Sequence, residues 1–377
     1  MPRAPILRLA LTDFRSYARA ELAVAPGLVC FYGRNGAGKT NLLEALSWLA
    51  PGRGLRSASV AEVGRRAPDE TPHRAWAVLV ELADRDGPVR LGVGAEAGSA
   101  RRKVRIDGET ATPAHLAQRV RMIWLTPAHD RLFLEGSSER RRFLDRLVFA
   151  DHPDHAADVA AYEKALRERL RLLTADAPAD PVWLDALEAT AARAGAALTL
   201  ARRQTVAALA EEIAARADRP FPRALIRLTA PENEPFDLDQ PQDQMEPVLA
   251  RGFARSRARD AAAGRALFGP HRCDLQVVQA EGGRAAAEAS TGEQKALLLN
   301  LVLAQAARLA RDPVAPAPIL LLDEVAAHLD PVRRAALYEE LGDLNLQAFL
   351  TGVEKALFEG LERGARVRVD AAQLYPD

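Results

Sequence analysis

Residues 33–40, GRNGAGKT, fit the pattern G-x-x-x-x-G-K-[ST] and constrain the fold more than any other stretch of the chain. The apolar run GLVCFY leads into them and a helical run from Lys39 to Ala50 leads out, so this segment reads as a strand, loop and helix unit. Glycines let such a loop curl until consecutive N–H groups point at phosphate oxygens, and the helix N-terminus adds its positive end. The candidate nucleotide-binding residues are therefore Gly33, Arg34, Asn35, Gly36, Ala37, Gly38, Lys39 and Thr40. Lys39 is expected to reach the β and γ phosphates, and Thr40 to offer its hydroxyl to Mg²⁺.

A second segment completes the chemistry. PILLLDEVAAHLDP, residues 318–331, is an apolar strand with Asp323 and Glu324 at its carboxyl end. Asp323 is placed to hold Mg²⁺, directly or through water, and Glu324 to orient or deprotonate an attacking water. Lys39 and Glu324 are the candidate catalytic pair; Thr40 and Asp323 are the candidate metal ligands.

Composition narrows the class without naming it. With 51 Lys plus Arg against 51 Asp plus Glu and 48% hydrophobic residues, the 377-residue chain is an ordinary globular protein long enough for two or three folding units. Cys30 and Cys273 have no metal-type spacing and make no disulfide framework, which fits a reducing cytosol. Asp13 and Arg15 interrupt the N-terminus early, and Asn300 and Gln305 interrupt the most apolar later stretch. No signal peptide or membrane span is expected, and the location expected is cytoplasmic.

The chain changes character twice. Its first part is strand-rich: ILRLALTDF, Leu22 to Val24, GLVCFY, then residues 75–106 with turns at Asp86-Gly87 and Asp107-Gly108. From about Ser138 to Ala217 glycine is scarce and apolar residues recur at helical spacing (Leu166, Leu170, Leu173; Leu184, Leu187), which predicts a helical lobe. Residues 231–246 hold six carboxylates and no Lys or Arg and read as a solvated loop. After Gly264 come a helix from about Gln294 to Ala310, the strand 319–322, a helix after Pro331, and a last strand QAFLTG.

STGEQK, residues 290–295, opens the helix before the Asp-Glu strand, where Ser290, Gly292 and neighbouring N–H groups form an anion site, or more simply a helix cap. Here the chain resembles the ABC-type ATPases. In that family such a signature (Ser290, Thr291, Gly292, Glu293, Gln294) faces the γ-phosphate held by a partner subunit, and His328-Leu329-Asp330 resembles the D-loop. The resemblance implies an α/β fold, an ABC-type P-loop ATPase head interrupted by an inserted, mainly helical lobe, with ATP sandwiched between two copies of the chain. The expected division is 1–135 and 263–377 for the head and 136–262 for the insert.

LTDFRSYARAEL, KTNLLEALSWL, GRGLRS at 52–57, EGSSERRRFLDRL at 135–147 and GPHRCDL at 269–275 together are similar to the RecF family of bacterial recombination-mediator ATPases. GPHRCDL carries Cys273 where that family usually has aspartate, and IWLTPAHDRLF at 123–133 is a loose version of its segment. The resemblance implies slow ATP hydrolysis, an ATP-dependent homodimer on duplex DNA and at gaps, and cooperation with RecR and RecO in loading RecA on single strands. Two other readings differ in class. A transporter's ATPase subunit would normally carry a histidine after the last strand, where this chain has Thr351. A chromosome-maintenance or nuclease-partnered ATPase would carry long heptads, which the insert lacks.

DNA affinity comes chiefly from neutralised phosphates, so arginine clusters are the candidate contacts. Arg101, Arg102 and Lys103, followed by Arg105, come first because no acid lies among them; Arg53 and Arg56 come next. Arg140 to Arg142 with Arg146, and Arg251, Arg255, Arg257 and Arg259, are further candidates, the first group also able to pair with Glu139 and Asp145 along a helix. No aromatic residues interleave with these clusters, which favours duplex backbone over base stacking.

Overall fold

In the computed structural model the described residues are 4–67, 70–71, 73–84, 87–177, 179–216, 218–231, 234–361 and 364–377. Asp86 of the expected turn and two residues of the acidic segment lie outside them, as does the side chain of His328.

In chain order the elements are β1 (Ile6–Phe14), β2 (Tyr17–Ala23), β3 (Leu28–Tyr32), α1 (Lys39–Ser47), α2 (Val60–Val63), β4 (Trp76–Asp84), β5 (Gly87–Ala95), β6 (Lys103–Ile106), β7 (Glu109–Ala111), α3 (Pro113–Ala117) and β8 (Arg121–Leu125). There follow α4 (Ser137–Phe149), α5 (His155–Leu173), α6 (Pro181–Ala215), β9 (Ala224–Thr229), α7 (Gln242–Ala263), β10 (Asp274–Gln279) and α8 (Thr291–Ala310). The chain closes with β11 (Pro318–Leu322), α9 (Pro331–Leu344), β12 (Ala348–Gly352), β13 (Ala365–Asp370) and β14 (Gln373–Pro376). The chain divides into two compact units: 1–130, 218–221 and 298–377 form one, 131–217 and 222–297 the other.

The first unit holds two six-stranded sheets. One is antiparallel, in the order β2-β1-β4-β5-β6-β7. The other runs β14-β13-β3-β12-β11-β8, with β13, β3, β12, β11 and β8 mutually parallel and β14 antiparallel at its edge. The central strands are apolar without alternation, LVCFY and PILLL, as strands covered on both faces must be. Helix α1 supplies Leu42, Leu43 and Leu46 to a core shared with Leu9, Leu11, Val78 and Val80 of the first sheet and Val29, Phe31, Leu321 and Phe349 of the second. Each such side chain contributes about 1.5–3 kcal/mol on burial.

QAFLTG is not the last strand. β13 and β14 follow it, with Val367 and Val369 buried between exposed or half-buried partners. The alternation of arginine and valine in ARVRVD masked a strand whose apolar side packs into the core.

The second unit is mainly helical. α6 opens at Pro181 with Asp180 accepting from the Val182 N–H at 2.9 Å, an N-cap followed by proline at the first helical position. Its 35 residues make a rod of about 50 Å. The buried stripe of α5 is Tyr162, Ala165 and Arg169; the expected Leu166, Leu170 and Leu173 are only half-buried. The stripe is displaced because Arg169 lies inside the unit, bound to Glu188, Asp260, Ser256 and the Phe253 carbonyl.

Two expectations about this unit need correction. The insert does not stop at 262: β10 pairs antiparallel with β9, and Phe268 and Cys273 pack with Phe253 and Leu249, so residues 263–297 belong with the helices. The acidic segment is not all solvated loop, since Phe236 is buried and residues from Gln242 onward form α7.

Candidate nucleotide-hydrolysis site

The parallel sheet of the first unit explains why the loop and the acids meet. β3 carries the loop 33–40 at its carboxyl end, β11 carries Asp323 and Glu324 at its own, and β12 lies between them in register, Leu350 opposite Cys30 on one side and Leu322 on the other. Ligands of open α/β sheets bind outside the carboxyl ends of strands. Gly33 to Gly38 form that turn, with Gly36 and Gly38 in the left-handed region, and Lys39 and Thr40 open α1 directly after it. At Gly33 a Cβ would stand 2.1 Å from the Val369 carbonyl oxygen, and the Ala372 N–H donates to the Ala37 carbonyl at 3.0 Å. The β13–β14 hairpin therefore buttresses the loop.

Lys39 curls back so that its ammonium donates to the carbonyls of Gly33 and Arg34, at 2.7 and 3.1 Å. Burial pushes this ammonium below its ordinary pKa, and the charges of Glu324 and Asp323 pull it back up. The Thr40 hydroxyl donates to Asp323 Oδ1 at 3.0 Å. Burial raises the Asp323 carboxyl; hydrogen bonds from Thr351 and Thr40 oppose this, the Glu324 charge adds to it, and Arg56 opposes it. A hydroxyl and a carboxylate brought together as hard oxygen donors fit Mg²⁺, which takes one or two protein oxygens and completes its shell with water and phosphate. Glu324 follows Asp323, half-buried, with φ 53°.

Sequence reasoning left several neighbours without a role. Glu44 of α1 is fully buried and accepts from Arg15 at 2.5 and 3.0 Å and from Arg56 at 3.1 Å. The Tyr17 hydroxyl donates to the Gly38 carbonyl at 3.1 Å. DFRSY and GRGLRS thus converge on the phosphate-loop helix, which their appearance in separate sequence strings does not reveal. Thr351, which stands where a transporter's ATPase would carry a histidine, bonds the Asp323 carboxylate and the Glu324 backbone N–H.

In the second unit, Ser290 caps α8. Its N–H and hydroxyl each donate to Glu293 Oε2 at 2.8 Å, and the Glu293 N–H donates back to Ser290 Oγ at 3.3 Å, a reciprocal capping box. Ser290, Thr291 and Gly292 are exposed, while Gln294 is buried and donates to the Ala289 carbonyl at 2.8 Å. Asp330 caps α9, accepting from the Arg333 N–H at 2.9 Å.

Residues 5–374 match the family described as RecF/RecN/SMC N terminal domain. The DNA replication and repair protein RecF of Caulobacter vibrioides is 58% identical over 99% of this chain and 98% of its own length, and that of Mesorhizobium japonicum 47% over 94% and 93%. The chain belongs to the RecF family. A solved RecF–ATP structure, a recombination mediator of the RecFOR pathway, has the same fold, with TM-score 0.84 at 20% identity covering 100% of this chain and 98% of that one. An Smc head domain from Pyrococcus furiosus shares the fold more distantly, with TM-score 0.54 at 16% identity, covering 100% and 96%.

Against this family background the arginine candidates separate. Arg102 is not a free cation: its guanidinium donates to the carbonyls of Trp48 and Ala50 at 3.0 Å each and lies over the Trp48 ring, and burial lowers its pKa. It caps the end of α1. Lys103 does have an acidic neighbour, Glu96, with which it forms an exposed ion pair. Arg56 is held by Glu44 and by Asn41 Oδ1 at 2.9 Å. Arg53, Arg101 and Arg105 are exposed.

Further along, Arg140 binds Asp274 with two bonds of 2.8 and 2.6 Å rather than Glu139 or Asp145, while Arg142 takes Glu139. Where the family usually has aspartate, Cys273 is buried and its carbonyl accepts from Arg141 at 2.6 Å; Asp274 supplies the acid beside it. Arg257 is bound to Glu188 and Asp185, and Arg259 to Glu234.

Proposed function

We propose that this chain is a weak ATPase that uses nucleotide as a switch for dimerisation on DNA, acting as a recombination mediator in replication and repair. The observation that carries the reading is the Thr40–Asp323 hydrogen bond, which joins the phosphate loop after β3 to the acidic end of β11, with the one strand β12 between them. In this reading the loop N–H groups and Lys39 bind the phosphates of ATP, and Glu324 takes the proton of the attacking water. Thr40 and Asp323 would hold Mg²⁺, which when bound neutralises phosphate charge as a Lewis acid. Ser290, Thr291 and Gly292, at the exposed start of α8, reach the nucleotide held by a second copy of the chain with Glu293 beside them, while Gln294 is buried behind them and holds the turn through the Ala289 carbonyl. Asp330 lies beside that interface. Family membership supports partners beyond the dimer: duplex DNA and gaps, RecR and RecO, and through them RecA. Among the described residues no helix is long and apolar enough to cross a membrane.

Glu324→Gln tests the assignment, because it keeps shape and hydrogen bonding while removing the base. Its expected behaviour is ATP affinity equal to that of the unmodified chain, hydrolysis lower by about a hundredfold or more, and a dimer that persists in ATP by equilibrium sedimentation. Turnover equal to that of the unmodified chain, or a Glu324→Gln monomer in saturating ATP, would overturn it.

A further inference from the structure

We propose that Thr351 is a positioning residue for hydrolysis, one hydroxyl that fixes both acids at the end of β11. The inference rests on the ATPase reading above and assigns a part of the site that neither motif contains. Thr351 is fully buried at the carboxyl end of β12, the strand between the loop-bearing β3 and the acid-bearing β11. Its Oγ1 accepts from the Glu324 N–H at 2.8 Å and donates to Asp323 Oδ1 at 2.8 Å.

The direction of both bonds is fixed by chemistry. A backbone N–H can only donate, so the single hydroxyl proton of Thr351 is free for the carboxylate. Asp323 Oδ1 thereby accepts two hydroxyls, from Thr351 on one side and Thr40 on the other. Glu324 has φ 53° and ψ 16°, the left-handed region that a non-glycine residue enters only under local constraint. That conformation turns the chain sharply from β11 and sets the direction in which the Glu324 side chain leaves the strand. The hydroxyl of Thr351 is the partner that the Glu324 N–H has in this turn. A β-branched residue suits the task, because its χ1 is stiff and the hydroxyl does not wander.

Thr351→Val keeps the shape and removes both bonds, whereas Thr351→Ser keeps the hydroxyl. The full-length chain is measured with ATP for nucleotide affinity, kcat and KM, and by sedimentation for dimer persistence, with Glu324→Gln in parallel. Thr351→Val is expected to bind ATP within about threefold of the unmodified chain, to lose about tenfold or more in kcat with KM unmoved, and to remain dimeric in ATP. Thr351→Ser is expected to recover kcat to within about threefold. Should the valine variant not fold, Thr351→Ala replaces it in the same comparison with serine. A kcat for Thr351→Val equal to the unmodified value, an equal loss in Thr351→Ser, or a loss of ATP affinity in step with kcat would each overturn the proposal. Unmodified turnover in Glu324→Gln beside an impaired Thr351→Val would overturn the assignment of Glu324 as the base, on which the positioning role of Thr351 rests.

Discussion

Buried charge decides the stability of the helical unit residue by residue. Asp145 accepts from Arg202 at 2.7 and 2.8 Å and contacts His155 at 2.9 Å, all three side chains nearly or fully inside the unit. Burial alone would raise the Asp145 carboxyl, yet the charge and hydrogen bonds of Arg202 and His155 hold it well below the usual carboxylate range. Removing one partner of such a pair leaves the other charge desolvated, which costs about 3–5 kcal/mol. Asp145→Ala is therefore expected to lower the stability of this unit by about that amount in urea unfolding, and a loss under about 1 kcal/mol would contradict the geometry. The sign of the pH dependence follows from the depressed folded pKa. The stabilisation is present in full above the unfolded aspartate value of about 3.9 and fades as pH falls below it, so the gap between the unmodified chain and Asp145→Ala should narrow in acid.

Elements were legible where a local pattern carries the physics. The strand–loop–helix at 28–47 and the acidic strand at 318–322 each encode their chemistry within a few adjacent residues, so both were readable before any fold was known. Thr351 was not, because its meaning depends on β12 lying between β3 and β11, a fact of sheet order that no spacing expresses. Arg102 was misread as a free cation for the same kind of reason: its carbonyl acceptors at Trp48 and Ala50 are far away in sequence. The exposed members of its segment remain candidates for DNA. Arg101→Ala, Lys103→Ala and Arg105→Ala combined, with Arg102 left to cap α1, should weaken all duplex sequences alike and reduce the slope of log affinity against log salt by about 0.9 for each phosphate no longer neutralised. An unchanged slope, measured with ATP present, would move the DNA surface to Arg53 or to Arg251 and Arg255.

For the whole molecule, the division of the sequence matters more than the length of the insert. Lys39, Thr40, Asp323, Glu324 and Thr351 fall in one unit, while Ser290 to Gln294 fall in the other, although α8 is a single helix from Thr291 to Ala310. A chain so divided can separate nucleotide binding from the closing of a composite site, which is what a switch requires. Mixing two defective variants tests this most directly. Lys39→Met carries a broken phosphate loop with an intact signature, and Ser290→Arg carries the reverse, so each should be inactive alone. An equimolar mixture should recover ATPase activity to at most about a quarter of the unmodified level, because half the dimers are mixed and each of these holds one complete site. No recovery on mixing, or full activity of Ser290→Arg alone, would contradict a site shared between two copies.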